Sequence, residues 1–366
     1  MRTVGVLFGG RSGEHDVSLC SAASVVSALD PAKYRVVAIG IDRDGKWYVQ
    51  ESPEIVEDPD FGRILRMEKK GAWYVNHYDE GNRLVLRNAQ DGAGVSVDVV
   101  FPAVHGTYCE DGTLQGLLDL AMVPYVGADT VGSSIGIDKD VAKRLLRDGG
   151  IPVVPWKTLG IDAWRRDRAD LLDGIRRDLP LPLFIKPART GSSVGVIKVR
   201  DYGELPGAID EAFRYDTKIL VEKGIDAREI ECAVIGNADP EASVLGEVVP
   251  RHEFYSYESK YIDPAGAELL IPAPIDGGVA DEIRGAAVKG YRLLCCSGMA
   301  RVDFFLDRQC GKFYLNEVNT LPGFTGISMY PRLWEHSGLP YPALIDRLIE
   351  LAFERHRVRA EVRTER

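Results

Sequence analysis

Two runs towards the end of the chain carry the residues best suited to chemistry. In Met299–Leu306, strand-like alternation puts Arg301 and Asp303 on one face and Val302, Phe304 and Leu306 on the other. After a polar turn, Asp307–Gly311, the same period puts Phe313, Leu315, Glu317 and Asn319 on one face. A hairpin folding near Gln309–Cys310 brings Asp303 close to Glu317, with Asn319 one pleat beyond and Arg301 beside them. Two carboxylates and an amide carbonyl are hard oxygen ligands, suited to Mg²⁺ that also holds phosphate oxygens. A guanidinium next to such a metal can stabilise charge on a transferring phosphoryl group or an oxyanion. Spacing alone leaves a solvated hairpin face as the alternative. The next segment, Thr320–Tyr330, is broken by Gly and Pro yet carries Leu321, Phe324, Ile327 and Met329, so it is expected to pack over another element.

A second group of residues precedes these. Leu183–Lys186 reads as a strand, followed by a Gly/Ser loop to Gly195 and a strand Val196–Val199. Lys186 supplies a cation, and the loop's backbone N–H groups and hydroxyls could close over a phosphate. There is no GK[ST] and no helix directly after the loop, so this is not a Walker-type site; an ordinary hairpin remains the alternative. The strand Ile219–Glu222 ends at Glu222-Lys223. In Arg228–Val234, Glu229 and Glu231 share a face that is either ribose-binding or solvated. Phe254–Tyr261 (FYSYESKY) is aromatic and irregular, as a lid would be.

These residues need elements to hold them. Val4–Phe8, a glycine turn and a helix over Val17–Leu29 read as the opening of a parallel α/β unit. Glu14, His15 and Asp16 sit at that helix start, facing either the dipole or a cleft. Tyr34–Ile41, Trp47–Val49, Trp73–Val75 and Val99–Val104 read as further strands, with 43–98 an elaboration of the first unit. His105-Gly106 ends the last of them. Asp138–Asp148 reads as an amphipathic helix with Val141, Ala142, Leu145 and Leu146 on its apolar face. Lys139 lies in its first turn, where a cation opposes the dipole and hints at an anion nearby. Helices over Ala280–Leu294 and Tyr341–Phe353 complete the chain, and the arginines of 355–366 read as a frayed helix end.

A chain of 366 residues suggests two or three domains. No apolar run is long enough to span a membrane, and the start reads as a strand, so a cytoplasmic location is expected. Six scattered cysteines without a CxxC pair read as free thiols. A net charge of −10 argues against nucleic acid as a partner.

Together the segments LFGGRSGEHDVSL, HGTYCEDGTLQG, FIKPARTGSSVGV, FYSYESKY, RVDFFL and LNEVNTLPGFTGISMYP closely resemble, in order from Gly9 to about Leu351, the D-alanine–D-alanine ligases of the ATP-grasp superfamily. The resemblance implies a three-domain α/β ATP-grasp fold: an N-terminal parallel-sheet domain (1–127), a central domain (128–224) and a C-terminal domain (225–366). It implies ATP as substrate, two Mg²⁺ ions (with Mn²⁺ as a substitute) and a homodimer. The implied reaction phosphorylates the carboxylate of one D-alanine and lets the amine of a second attack the acyl phosphate. Its product would feed peptidoglycan precursor synthesis.

The resemblance also implies roles. Glu14 holds the first D-alanine's ammonium, and His105 lies near that substrate's carboxylate. Lys139 and Lys186 contact the ATP phosphates, and Lys260 faces the γ-phosphate. Ser192 hydrogen-bonds with Glu14 and a lid tyrosine, Tyr261. Glu222 and Lys223 form the adenine-side connector, and Glu229 meets the ribose. Asp303, Glu317 and Asn319 bind the metals, and Arg301 lies over the acyl phosphate. Ser328 and the backbone of Met329 take the second D-alanine's carboxylate. His15, Asp16, Tyr108 and Cys109 depart from the family's pattern near the first-substrate side. The alternative is a resistance-type ligase that joins D-alanine to D-lactate or D-serine; the lid with Tyr261 favours a D-alanine acceptor.

Overall fold

A computed structural model describes residues 1–76, 83–250 and 266–363 of the chain. Among these residues three main sheets form, each with its own helices. The first begins as the sequence suggests. Arg2–Gly9 is buried from Val4 onward and pairs in parallel with Tyr34–Ile41 and Val99–Pro102. Strands covered on both faces read as continuous apolar runs, which is how these three appear. Gly9 and Gly10 turn the chain with φ of +87° and +105°. A Cβ on Gly9 would run into the Ile41 carbonyl, so glycine is required there. The helix His15–Ala28 follows at once.

The sheet is not wholly parallel. Trp47–Gln50, Trp73–Asn76, Leu84–Asn88 and Gly94–Val97 extend it to seven strands, joined to one another and to Tyr34–Ile41 in antiparallel fashion. Antiparallel neighbours need no crossover helix, and the 43–98 stretch adds these four strands without one. Trp47 and Trp73, which open the two similar tripeptides, stand opposite each other.

The other two sheets are antiparallel. One has the order Trp156–Gly160, Lys218–Lys223, Leu183–Pro187, Ile197–Val199. The other has the order Ala267–Leu270, Glu241–Pro250, Ala227–Gly236, Gly298–Asp307, Phe313–Asn319. The smaller sheet packs on helices Arg168–Asp178 and Leu205–Ala212 through Ile175, Ile185 and Ile209. The larger packs on helix Gly277–Leu293, and Ala142 and Leu146 of helix Lys139–Asp148 join that core.

The two ends of the chain share one core. Helix Tyr341–Ala360 sets Leu344, Ile345, Leu348 and Ile349, a helical stripe, into the core of the first sheet. Of the arginines read as a frayed end, Arg355 is held: it donates to the Tyr125 carbonyl at 2.8 Å, to Ser297 Oγ at 2.9 Å and to the Gly127 carbonyl, whereas 364–366 lie outside the described residues. The segment after the hairpin is packed as expected, except for Ile327, which is exposed. Phe324 is buried, with its ring 5.5 Å from Phe101, 5.7 Å from Tyr330 and 6.4 Å from Tyr341. All six cysteines are free thiols. Among the described residues no helix is long and apolar enough to cross a membrane.

Phe324 is thus the apolar rivet between the first sheet and the segment following the hairpin. Phe324→Ala should cost about 3–5 kcal/mol in chemical denaturation, as buried aromatic truncations do. A loss below about 1 kcal/mol would mean that the segment is not anchored by this ring.

Candidate functional site

A cleft of about 1280 Å³ opens where the three sheets meet. Every site residue named from the sequence and lying within the described residues lines it. Lys260 and Tyr261 lie outside the described residues.

At one end stands the hairpin of Gly298–Asp307 and Phe313–Asn319. Its register sets Asp303 opposite Glu317 and Arg301 opposite Asn319. The expected single face of the second strand is broken. Phe304 pairs with Leu315, so Asn316 is an extra residue in a bulge. The bulge sends Leu315 into the core and Glu317 to the cleft. Asn316 also lines the cleft, with its Oδ1 3.5 Å from Lys186 Nζ. Arg301 forks onto Asp303 at 2.8 and 2.7 Å, and its Nε lies 3.1 Å from Glu231 Oε2. Asn319 Nδ2 donates to Asp303 at 2.9 Å. Burial would lower the Arg301 pKa, but Asp303 and Glu231 raise it well above its ordinary value, so the guanidinium stays charged. Among the described residues no three His, Cys, Asp or Glu side chains form a metal cage. Two carboxylates and an amide fit Mg²⁺ that keeps water and phosphate ligands, since that ion is seldom held by protein alone.

The middle of the cleft is cationic. Lys186, on Leu183–Pro187, donates to Glu222 Oε1 at 2.6 Å. Glu222 Oε2 takes Lys143 at 2.7 Å. Burial would raise the Glu222 pKa, but the charges of Lys143 and Lys186 more than offset it and hold the carboxyl at about 2. Lys139 reaches from the helix start to the Thr190 carbonyl at 2.7 Å. It thereby ties helix Lys139–Asp148 to the Gly/Ser loop. In that loop Ser192 and Ser193 adopt φ of +48° and +59°, conformations that non-glycine residues seldom hold.

At the other end the loop meets the first sheet. Ser192 Oγ donates to Glu14 Oε1 across 178 residues of chain. His105 bridges Ser21 Oγ at 3.0 Å and the Leu321 carbonyl at 3.1 Å, and lies 3.6 Å from Glu110. Burial would lower the His105 pKa, but Glu110 and Glu14 raise it overall. Burial and Glu14 likewise push Glu110 up, against the pull of His105. Ser328 stands just before helix Met329–His336 without a side-chain capping bond, and its Oγ lies 2.8 Å from Thr325 Oγ1. Of the departures, His15 is buried on the Gly10 carbonyl at 2.8 Å, and Asp16 pairs with Arg43 at 2.7 Å. Tyr108 lies exposed under Arg11, and Cys109 is buried. None of the four lines the cleft.

Sequence reading missed Lys143, Glu110 and Asn316, and left Glu231 ambiguous. The apolar face assigned to helix Lys139–Asp148 is rotated: Val141 is exposed, and Asp140, Ala142, Lys143 and Leu146 are buried. The four-residue step from Lys139 to Lys143 was the available signal, because it puts both on one face.

Comparison with known proteins matches two family models, "D-ala D-ala ligase N-terminus" over residues 3–128 and "D-ala D-ala ligase C-terminus" over residues 145–350. D-alanine–D-alanine ligase A of Bradyrhizobium diazoefficiens is 46% identical, over 97% of this chain and 95% of its own. The solved D-alanine–D-alanine ligase of Coxiella burnetii superposes with a TM-score of 0.79 at 36% identity, covering 98% of this chain and 96% of its own. The VanG D-Ala:D-Ser ligase of Enterococcus faecalis superposes with a TM-score of 0.81 at 35% identity, covering 96% and 99%. With both family models matched in order on an ATP-grasp arrangement of sheets, the chain belongs to the D-alanine–D-alanine ligase family.

Proposed function

We propose that this protein is an ATP-dependent, ADP-forming ligase that joins two D-alanines for peptidoglycan precursor synthesis. One observation carries the reading: Glu14 with Ser192, Lys139 with Lys186, and Arg301 with Asp303, Glu317 and Asn319 converge on a single cleft. An amine cannot displace a carboxylate oxygen at neutral pH, so that oxygen must first become a phosphate leaving group. In this reading Glu14 pairs with the ammonium of the first D-alanine, and His105 orients its carboxylate towards the γ-phosphate of ATP. Lys139, Lys186 and Lys260 hold the phosphates, Glu222 and Lys223 border the adenine, and Glu229 meets the ribose. Asp303, Glu317 and Asn319 would hold two Mg²⁺ ions, with Mn²⁺ able to substitute, which supply charge neutralisation on the phosphate oxygens. Arg301 stabilises the charge on the acyl phosphate and on the tetrahedral oxygen formed when the second amine attacks. Ser328 and the backbone of Met329, at a helix start, receive the second D-alanine's carboxylate. Ser192 and Tyr261 tie the Gly/Ser loop and the lid over the intermediate, which water would otherwise hydrolyse.

We read the chain as three domains, 1–127, 128–224 and 225–366, with ATP between the last two. A cytoplasmic homodimer is the proposed working form. The alternative, a resistance-type ligase that takes D-lactate or D-serine, is not favoured by the relatives named D-alanine–D-alanine ligase.

Three experiments test this. Phosphate release should occur from ATP and Mg²⁺ with D-alanine alone, giving D-alanyl-D-alanine as the only new product. Dominance of mixed product when D-serine or D-lactate competes near neutral pH would transfer the chain to the resistance-type ligases. Glu317→Gln keeps the side-chain volume and removes a ligand charge. It should fold normally and lose about a hundredfold or more in kcat, or about 2.7 kcal/mol; full activity would remove the metal assignment. Ser192→Ala deletes the hydrogen bond to Glu14, a loss of about 1.5–3 kcal/mol for a charged acceptor. It should lower kcat/KM for the first D-alanine by about ten- to a hundredfold; an unchanged ratio would leave the serine a purely local role in the loop.

A further inference from the structure

Lys143 is a buried cation that the reaction just described does not use. Its ammonium lies 2.7 Å from Glu222 Oε2, donates to the Val154 carbonyl at 3.2 Å, and sits 5.3 Å from the centre of the Trp156 ring. The side chains of Lys143 and Glu222 are each 2% exposed. The second oxygen of Glu222 holds Lys186 at 2.6 Å, and Lys186 is 12% exposed. Lys186 lines the cleft and Lys143 does not. One carboxylate therefore serves two ammoniums of unequal freedom. The inner one is fixed by a carbonyl and an aromatic face; the outer one borders the space where phosphates would lie.

A buried ion pair is a poor source of stability, whereas a buried charge stripped of its partner is strongly unfavourable. If Lys186 moved from Glu222 to a phosphate oxygen and Lys143 were absent, Glu222 would be left in that state. We propose that Lys143 is a positioning residue that keeps Glu222 neutralised, so that Lys186 is free to transfer from the carboxylate to a polyphosphate. This rests on the nucleotide-binding reading above. It predicts an effect on the phosphate part of the ligand and not on its base.

The test compares ATP with adenosine by calorimetric titration of the whole protein with Mg²⁺ and no D-alanine. In K143M, Glu222 has only Lys186, so ATP affinity should fall by about tenfold or more while adenosine affinity stays within about twofold. In K143M/E222Q the competing carboxylate is gone, and the ratio of ATP to adenosine affinity should return most of the way to that of the parent protein. An unchanged ratio in K143M, or a double variant as impaired as the single, overturns the proposal. Equal loss of ATP and adenosine binding in a protein with an unchanged thermal transition overturns it too, because Lys143 would then only shape the base pocket. If K143M does not fold, E222Q alone decides: releasing Lys186 should raise the ratio, and a constant or lower ratio sinks the idea. Absence of ATP binding by the parent protein would instead remove the nucleotide reading itself.

Discussion

The register between Gly298–Asp307 and Phe313–Asn319 is the constraint on which the cleft depends. Two carboxylates on paired strands approach each other when they project from the same side at facing positions. Asp303 opposite Glu317 satisfies this, and it does so because Asn316 interrupts the alternation of the second strand. Without the extra residue, Leu315 and Glu317 would face the same way, and either a leucine would leave the core or a carboxylate would enter it. A one-residue slip exchanges the faces of a whole strand. Here the bulge performs that exchange once, at the point where the core face must give way to the cleft.

The hairpin is then held to distant parts of the chain by contacts of different kinds. Phe324 fixes the following segment to the first sheet by apolar packing, and His105 fixes it by donating from Nδ1 to the Leu321 carbonyl. The Gly/Ser loop is tied to the first sheet through Ser192 and Glu14, and to helix Lys139–Asp148 through Lys139 and Thr190. The packing contacts are buried and lie in a continuous core. The polar ties lie at the cleft, where hydrogen bonds can be exchanged for bonds to a ligand at little net cost. This division between a fixed frame and exchangeable polar ties suits the proposed closure over a water-sensitive intermediate.

Much of this was legible in the residues. Strand periodicity put Arg301 with Asp303 and anticipated the approach of Glu317, and a continuous apolar run marked Arg2–Gly9 as a covered strand. What was not legible has two physical causes. A bulge leaves no mark on hydrophobic periodicity when the extra residue is polar, so Asn316 was invisible. Amphipathicity assumes that charge faces water, so the apolar face was drawn through Val141, Ala142, Leu145 and Leu146 and Lys143 was passed over, although Glu222 on the strand Lys218–Lys223 offsets its burial. At 43–98 two strands and the elaboration of the first unit were read, but not the strands Leu84–Asn88 and Gly94–Val97 or the antiparallel pairing, for a related reason. Strands of four or five residues between turns fix neither their partners nor their direction until the sheet edge that receives them is known.

The charge pattern of the cleft explains how a chain of net charge −10 can accommodate a polyanion. Three of its cations have a protein acceptor. Lys186 rests on Glu222, Arg301 on Asp303, and Lys139 on the Thr190 carbonyl. Each is thus oriented before any ligand arrives and loses little side-chain freedom when one binds. The consequence is that an entering anion must exchange for a protein acceptor, and the acid left behind needs another cation. For Asp303 a divalent ion would meet that need, and for Glu222 the buried Lys143 already does. On the proposal above, cation supply to the vacated acids, more than the number of lysines in the cleft, sets the affinity for a polyphosphate.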